Sequence, residues 1–254
     1  AAQIRAHVRA GDKESARALI AARSAETPDD PGLLHLRGAM HELDGELDQA
    51  ARLYRRMIQV APDLGAGYVR LAALQDRQED QDAALATLTS GLDSVSDDAM
   101  LRLHVASIAL RRGDAATAIA EFEQIYSDQP GSMLAANNLA SALAEYREHD
   151  PQQIARAEKI ARRLAGSTNP AFQDTFGWTR FLTGDTKGAL SPLMRAAKEL
   201  PKNPWVQYHV GMAHFEAGDL PTAKTHLEAA LRIVGDRTFA PRSKITQAIE
   251  TIGN

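Results

Sequence analysis

The sequence predicts an all-α array of helix–turn–helix units: about six full repeats, a partial unit before them and a capping helix after them. Three markers predict it, and all share one interval. A Gly-Asp-like pair stands at Gly11-Asp12, Gly45-Glu46, Glu79-Asp80, Gly113-Asp114, Gly184-Asp185 and Gly218-Asp219, in steps of 34, 34, 34, 71 and 34. Proline recurs as Pro28, Pro62, Pro130 and Pro201, in steps of 34, 68 and 71. Alanine recurs as Ala16, Ala50, Ala84, Ala118, Ala157, Ala189 and Ala223, in steps of 34, 34, 34, 39, 32 and 34. The three markers depart from the strict period together.

Each marker has a physical task. Glycine ends a first helix, because the left-handed conformation costs it nothing. The acid after it starts a second helix, where its charge meets the positive end of the dipole. The alanine lets the two helices approach closely. The proline ends the second helix and turns the chain into the next unit.

The units fall at 31–64, 65–98, 99–132, 133–169, 170–203 and 204–237 of a single array over 1–254. Residues 1–30 form a partial unit whose first helix is clipped. Residues 240–252 form one more helix, which covers the last apolar face as array ends require. The fourth unit departs from its sisters. Its helices are expected to be joined by Glu145-Tyr146-Arg147-Glu148-His149-Asp150-Pro151, a turn about five residues longer than the others. Its exit, Gly166-Ser167-Thr168-Asn169, is about two shorter. The long turn reads as a neutral surface insertion, with a contact feature as the alternative.

Composition narrows the classes. Of 254 residues, 44% are hydrophobic and 24% charged, near the globular average, which excludes wholesale disorder. The 13 aromatic rings are few for a conventional core and suit alanine-rich helix packing. The net charge is −4, whereas duplex nucleic-acid binders run basic. There is no cysteine, so thiol catalysis, disulfides and zinc–thiolate sites are excluded. No apolar run approaches the ~20 residues of a membrane span. The opening Ala-Ala-Gln-Ile-Arg-Ala-His is not a signal peptide and lacks an initiating Met, so the expectation is an excised fragment.

Little in the sequence suggests catalysis. No two of the eight histidines lie three or four apart on a helix, so no helical metal pair forms. His41 and His214 read as packing residues between helices. Gly65-Ala66-Gly67 lacks the third glycine, the strand and the lysine of a phosphate loop, and reads as a short turn and helix start. No nucleophile elbow and no convergent carboxylate pair is visible. The expectation is no catalytic residue, no cofactor and no metal.

Within the unit, Gly38, Ala50, Tyr54 and Pro62 fill one set of slots. Gly177, Ala189, Leu193, Ala196 and Pro201 fill them again, as do Gly211, Ala223, Leu227 and Ala230. This pattern resembles the tetratricopeptide repeat (TPR) family over nearly the whole chain. The resemblance implies a right-handed α-solenoid whose first helices line a concave groove that holds an extended or helical peptide. By analogy with the family, the inward residues are His35, Ala39 and Glu42; Val69, Ala73 and Asp76; and Leu103, Ser107 and Leu110. They continue with Asn137, Ser141 and Ala144; Asp174, Trp178 and Phe181; and Tyr208, Met212 and Phe215. The carboxylate clamp of chaperone-binding relatives needs inward Lys and Asn. His35, Ala39, Val69 and Leu103 stand there instead, and no lysine is among the inward residues, so chaperone tails are not expected partners.

The candidate partner-binding residues are Asn137, Asn138, Asp174, Trp178, Phe181, Tyr208, Met212 and Phe215. The asparagines could hydrogen-bond a ligand backbone, or make helix-end contacts. Seven of the 13 rings fall within 172–215, and exposed rings are typical binding anchors. The alternative is that they pack between repeats or under the C-terminal helix. Arg156, Lys159, Arg162 and Arg163 form a basic outer face, read as solvated, with an acidic partner or lipid headgroup as the alternative.

The function expected is a non-catalytic scaffold for a peptide or partner protein. The runs Asn137-Asn138-Leu139-Ala140, Asp174-Thr175-Phe176-Gly177-Trp178 and Tyr208-His209-Val210-Gly211 are similar to the C-terminal arrays of bacterial envelope TPR proteins of the exopolysaccharide-export type. That resemblance implies a secretion or polymer-export assembly in the envelope, with any lipid anchor outside this sequence. The alternatives are a self-assembling homo-oligomeric module and an RNA-reading helical repeat. The charge and the lysine-free groove argue against nucleic acid.

Overall fold

The structure, a computed structural model, describes residues 2–147 and 149–253. It is all-α, with helices joined by short turns. First and second helices alternate: α1 (Ala2–Arg9) with α2 (Lys13–Glu26), α3 (Pro31–Leu43) with α4 (Leu47–Val60), and α5 (Gly65–Arg77) with α6 (Gln81–Ser94). They are followed by α7 (Ala99–Arg111) with α8 (Ala115–Asp128), and α9 (Met133–Tyr146) with α10 (Pro151–Ala161) and a 3₁₀ turn, Arg162–Leu164. Last come α11 (Pro170–Leu182) with α12 (Thr186–Glu199), α13 (Pro204–Glu216) with α14 (Leu220–Val234), and α15 (Arg242–Gly253).

The turn marker is a backbone requirement. Gly11, Gly45, Gly113, Gly184 and Gly218 all have φ between 76° and 87°. Glu79 holds the equivalent position at φ 65° without glycine's freedom. The acids that follow act as caps. Asp12, Asp80, Asp114, Asp185 and Asp219 each accept a backbone N–H three residues on, at 2.9 to 3.3 Å. Glu46, one methylene longer, makes no such bond.

The alanine marker is a contact requirement. Ala16, Ala50, Ala84, Ala118, Ala157, Ala189 and Ala223 are all fully buried. The small residue of the first helix meets the large residue of the second. A Cβ on Gly177 would stand 2.7 Å from Leu193 Cγ, so only glycine allows this approach.

The fourth repeat corrects the expected long turn. Of its extra residues, among those described, one extends α9 and three extend the start of α10. Three of the seven residues expected in the turn, Glu145, Tyr146 and Pro151, are therefore helical; Asp150 caps α10 and Pro151 takes its first position. Glu148 lies outside the described residues.

The chain divides into two compact units, Ala1–Glu121 and Phe122–Asn254. In the first, Tyr54, Leu71 and Leu74 form one core cluster, and Leu88, Leu101 and Val105 another. In the second, Trp178, Leu193, Tyr208, Leu227 and Ile245 share a cluster that draws in α15. Burying such side chains contributes about 1.5–3 kcal/mol each. Among the described residues, no helix is long and apolar enough to cross a membrane.

Candidate partner-binding face

Three of the expected inward residues are carboxylates, and each meets a basic group 35 residues further on. Arg77 Nη1 donates to Glu42 Oε2 at 2.8 Å, and Arg111 Nη2 to Asp76 Oδ2 at 2.6 Å. His209 Nδ1 lies 3.0 Å from both oxygens of Asp174. A step of 35 reaches the next first helix one residue beyond the equivalent position, which brings the two side chains together across the helix pair. Neither Glu42 nor Asp76 is a free anion for a ligand. The exposed arginine pairs contribute about 0–1 kcal/mol each.

The second unit holds all eight candidates. First helices α9, α11 and α13 pack side by side, and α15 packs on α13. Trp178 stacks on Phe181 with centroids 4.9 Å apart, and on the His209 ring at 4.1 Å. Tyr208 is 5.4 Å from Trp178 and tilted against it. Phe239, in the segment before α15, meets Trp205 edge-on at 4.9 Å. The exposed-ring expectation therefore fails for two residues: Trp178 and Tyr208 are buried, at 4% and 3% exposure. They pack between repeats and beneath the C-terminal segment. Phe181, Met212 and Phe215 keep part of their surface in solvent while resting on the same cluster.

Asn137 and Asn138 are half-buried on α9, their side chains 3.5 Å apart. Asn137 Oδ1 is buried without a partner, as are Trp178 Nε1 and His209 Nε2. Among the described residues, seven of the eight such side-chain atoms lie on first helices, Ser24 on α2 being the exception. All of these atoms are closed off from solvent by the side chains around them.

Residues outside the candidate set complete the site. Glu145 accepts from the Ser141 hydroxyl at 2.8 Å, and burial raises its carboxyl above the usual range, with His209 opposing the shift. Glu145, Trp178, Trp205, Tyr208, Pro241 and Lys244 line a cavity of about 60 Å³. Lys244 is a lysine at this face that the inward residues did not include. It arrives from α15, by a connection whose path no repeat marker reports.

Histidines 41 and 214 have a task that the packing reading left out. Their Nδ1 atoms meet Glu46 and Asp219, the acids that open the following helices. His7 meets Asp12 in the same way, and Arg180 meets Asp185. The interval is five residues each time, which spans the turn. The basic outer face is likewise engaged: Arg156 pairs with Glu123, Arg162 with Glu158, and Arg163 with the Pro130 carbonyl. Arg162 and Arg163 stand on the 3₁₀ turn rather than on α10.

Comparison with known proteins agrees with this architecture. No curated protein matches the chain by sequence. A chain of the APC/C hetero-tetramer Cut9–Hcn1 superposes with a TM-score of 0.67 at 14% identity, over 99% of this chain and 48% of that one. The present chain thus spans about half its length. A tetratricopeptide repeat protein from Parabacteroides merdae gives 0.60 at 14% identity, over 99% and 96%. YrrB, described as a TPR protein with an unusual peptide-binding site, gives 0.54 at 18% identity, over 76% and 98%. At these identities the likeness concerns the fold alone. The tetratricopeptide repeat model matches residues 1–65 and 69–133, half of the sequence. The chain belongs to the tetratricopeptide repeat family.

Proposed function

We propose that the chain is a non-catalytic protein–protein interaction scaffold that holds a peptide or partner protein against its first helices. The observation that carries this reading is the half-exposed apolar surface that Phe181, Met212 and Phe215 keep on the first helices α11 and α13, of the kind that anchors a ligand side chain. The half-buried Asn137 and Asn138 of α9 offer amide groups to a peptide backbone. YrrB lends an analogy, since its description includes a peptide-binding site.

The test is selection from a random-peptide library on the immobilised protein. Selected peptides are then compared on wild type and on Phe181→Ala/Met212→Ala/Phe215→Ala, with helicity checked for both. The reading expects specific sequences to emerge and to bind the variant at least ~10-fold more weakly, since each truncated anchor is worth about 1–2 kcal/mol or more. Equal binding to both proteins overturns it. The finer assignment to an envelope export assembly has the resemblance of the 137–140, 174–178 and 208–211 runs as its support. Recovery of the native protein in cytosolic fractions would sink it.

A further inference from the structure

Gln173, on the first turn of α11, is a buried glutamine at 2% exposure. Its Nε2 donates to the carbonyls of Ala165 and Ser167, at 3.2 and 2.8 Å. It so braces Gly166-Ser167-Thr168-Asn169, the exit that is about two residues shorter than its sisters. Its Oε1 accepts from Arg195 Nε at 3.1 Å and from Nη2 at 2.6 Å. The brace recurs one interval on, where Gln207 donates to the Pro201 carbonyl at 3.3 Å and meets His226 Nδ1 at 2.6 Å. The guanidinium does not recur, since the place 34 residues beyond Arg195 is Ala229. Arg195 is therefore not a requirement of the repeat.

Its charge is not neutralised within the protein either. Arg156, Arg162 and Arg180 pair with Glu123, Glu158 and Asp185. Arg195 is held by neutral oxygens instead, those of Gln173 and of Ser191, whose Oγ accepts from Nη1 at 2.7 Å. Three of the five guanidinium N–H groups are used in this way, which leaves one on each terminal nitrogen. The exposed Arg195 lines a cleft of about 550 Å³ together with Lys198, Glu199, Ser167 and Thr168. That volume lies within the ~300–1,000 Å³ of small-molecule sites. Ser167 Oγ accepts from the Asn169 N–H at 3.1 Å and keeps its own proton to donate. Two cations thus face the cleft against one carboxylate. A guanidinium with an N–H free on each terminal nitrogen fits two oxygens of one oxyanion, and a lysine beside it adds a point charge.

We propose that this cleft is a binding site for a phosphate monoester, gripped at two oxygens by Arg195 and neutralised further by Lys198. A monoester dianion suits two cations better than a singly charged group does. The site goes beyond the peptide-binding reading and uses none of its anchors. Two sources present the same group: a free sugar phosphate, and a phosphorylated serine of a partner. Glu199 opposes either one, and so limits the affinity.

The test is isothermal titration calorimetry of the full chain at about pH 7.5, above the second phosphate pKa of about 6. The probes are glucose 6-phosphate and the amide of N-acetyl-phosphoserine. Glucose 6-sulfate, a monoanion of the same shape, and the two unphosphorylated parent compounds are the controls, all at equal ionic strength because salt screens exposed charges. The proteins are wild type, Arg195→Met, Lys198→Met and Glu199→Gln, each of verified helicity. The proposal expects saturable binding of phosphate, at least ~10-fold weaker in Arg195→Met, ~3-fold weaker in Lys198→Met and ~2-fold tighter in Glu199→Gln. The gain in Glu199→Gln is a result that damage to the fold does not produce. A tighter phosphoserine derivative assigns the partner source, a tighter sugar phosphate the free one, and equal affinities the phosphate alone; each supports the site. Binding of glucose 6-sulfate as tight as that of glucose 6-phosphate overturns the proposal. So does unchanged binding in Arg195→Met, or no saturable binding in folded Glu199→Gln.

Discussion

His209 Nδ1 lies 3.0 Å from both carboxylate oxygens of Asp174, and so ties α13 to α11 across one repeat interval. His209 is almost wholly buried, with its ring on the face of Trp178. Removing the carboxylate leaves a buried ring nitrogen without a partner, which costs about 1–3 kcal/mol. Asp174→Ala is expected to lower stability by that amount in chemical denaturation. The double variant with His209→Ala should be less than additive, because both substitutions remove the same contact. Full additivity would mean that the pair contributes nothing.

Glu79 stands where five sister turns have glycine. A side chain in the left-handed region costs about 1–2 kcal/mol, part of which glycine returns through the greater freedom of its unfolded chain. Glu79→Gly is therefore expected to raise the denaturation midpoint by the equivalent of about 1 kcal/mol. Gly113→Glu, the reverse change in the next repeat, should lower it. Opposite signs from the two variants are the check.

Gly177 faces Leu193 at a distance that leaves no space for a methyl group. Gly177→Ala forces the helices apart or drives the leucine from its rotamer, at about 1–3 kcal/mol. Leu193→Ala alone should cost about 2–5 kcal/mol through the cavity it leaves. Placing both together is expected to recover part of the loss. Because Ala favours the helix over Gly, a lower midpoint for Gly177→Ala in differential scanning calorimetry reports overpacking and not helix propensity.

The capping acids set the response to acid. Hydrogen bonds from Ser15, Thr117 and Thr222 hold Asp12, Asp114 and Asp219 below the usual carboxylate value of 3.8. The Gly188 amide and Arg180 do the same for Asp185. Each contributes stability that is complete above the unfolded value and is lost as pH falls through the depressed folded value. Thermal midpoints are expected to hold steady down to about pH 5 and to decline below about pH 4. Asp219→Asn, which keeps a capping oxygen without the titration, should decline less steeply. A wild type that gains stability on acidification would contradict this.

The repeat was legible because each marker answers a local demand: a positive φ, a cap, a close contact. Such demands depend on one residue type at one spacing. The extra residues of the fourth unit were legible too, but the placement of most of them in helix rather than loop was not, since an earlier start of α10 and a longer turn give the same spacing. The site was only partly legible. Asp174, Trp178, Phe181 and Tyr208 were picked out by position on first helices, and the structure brings them together. His209 was missed because it lies one place off the inward positions, and its partner sits 35 residues away rather than 34. Glu145, Trp205 and Lys244 were missed because they meet only through the path of the segment before α15. That path follows from Phe239 packing on Trp205, a tertiary contact without a sequence period. It also explains the buried state of Trp178 and Tyr208.

The central claim is that ligands engage first helices. Hydrogen–deuterium exchange on the full chain, with and without a peptide selected on it, tests that most directly. Peptide-induced protection is expected in α9, α11 and α13. Protection confined to the second helices α10, α12 and α14 would contradict the account.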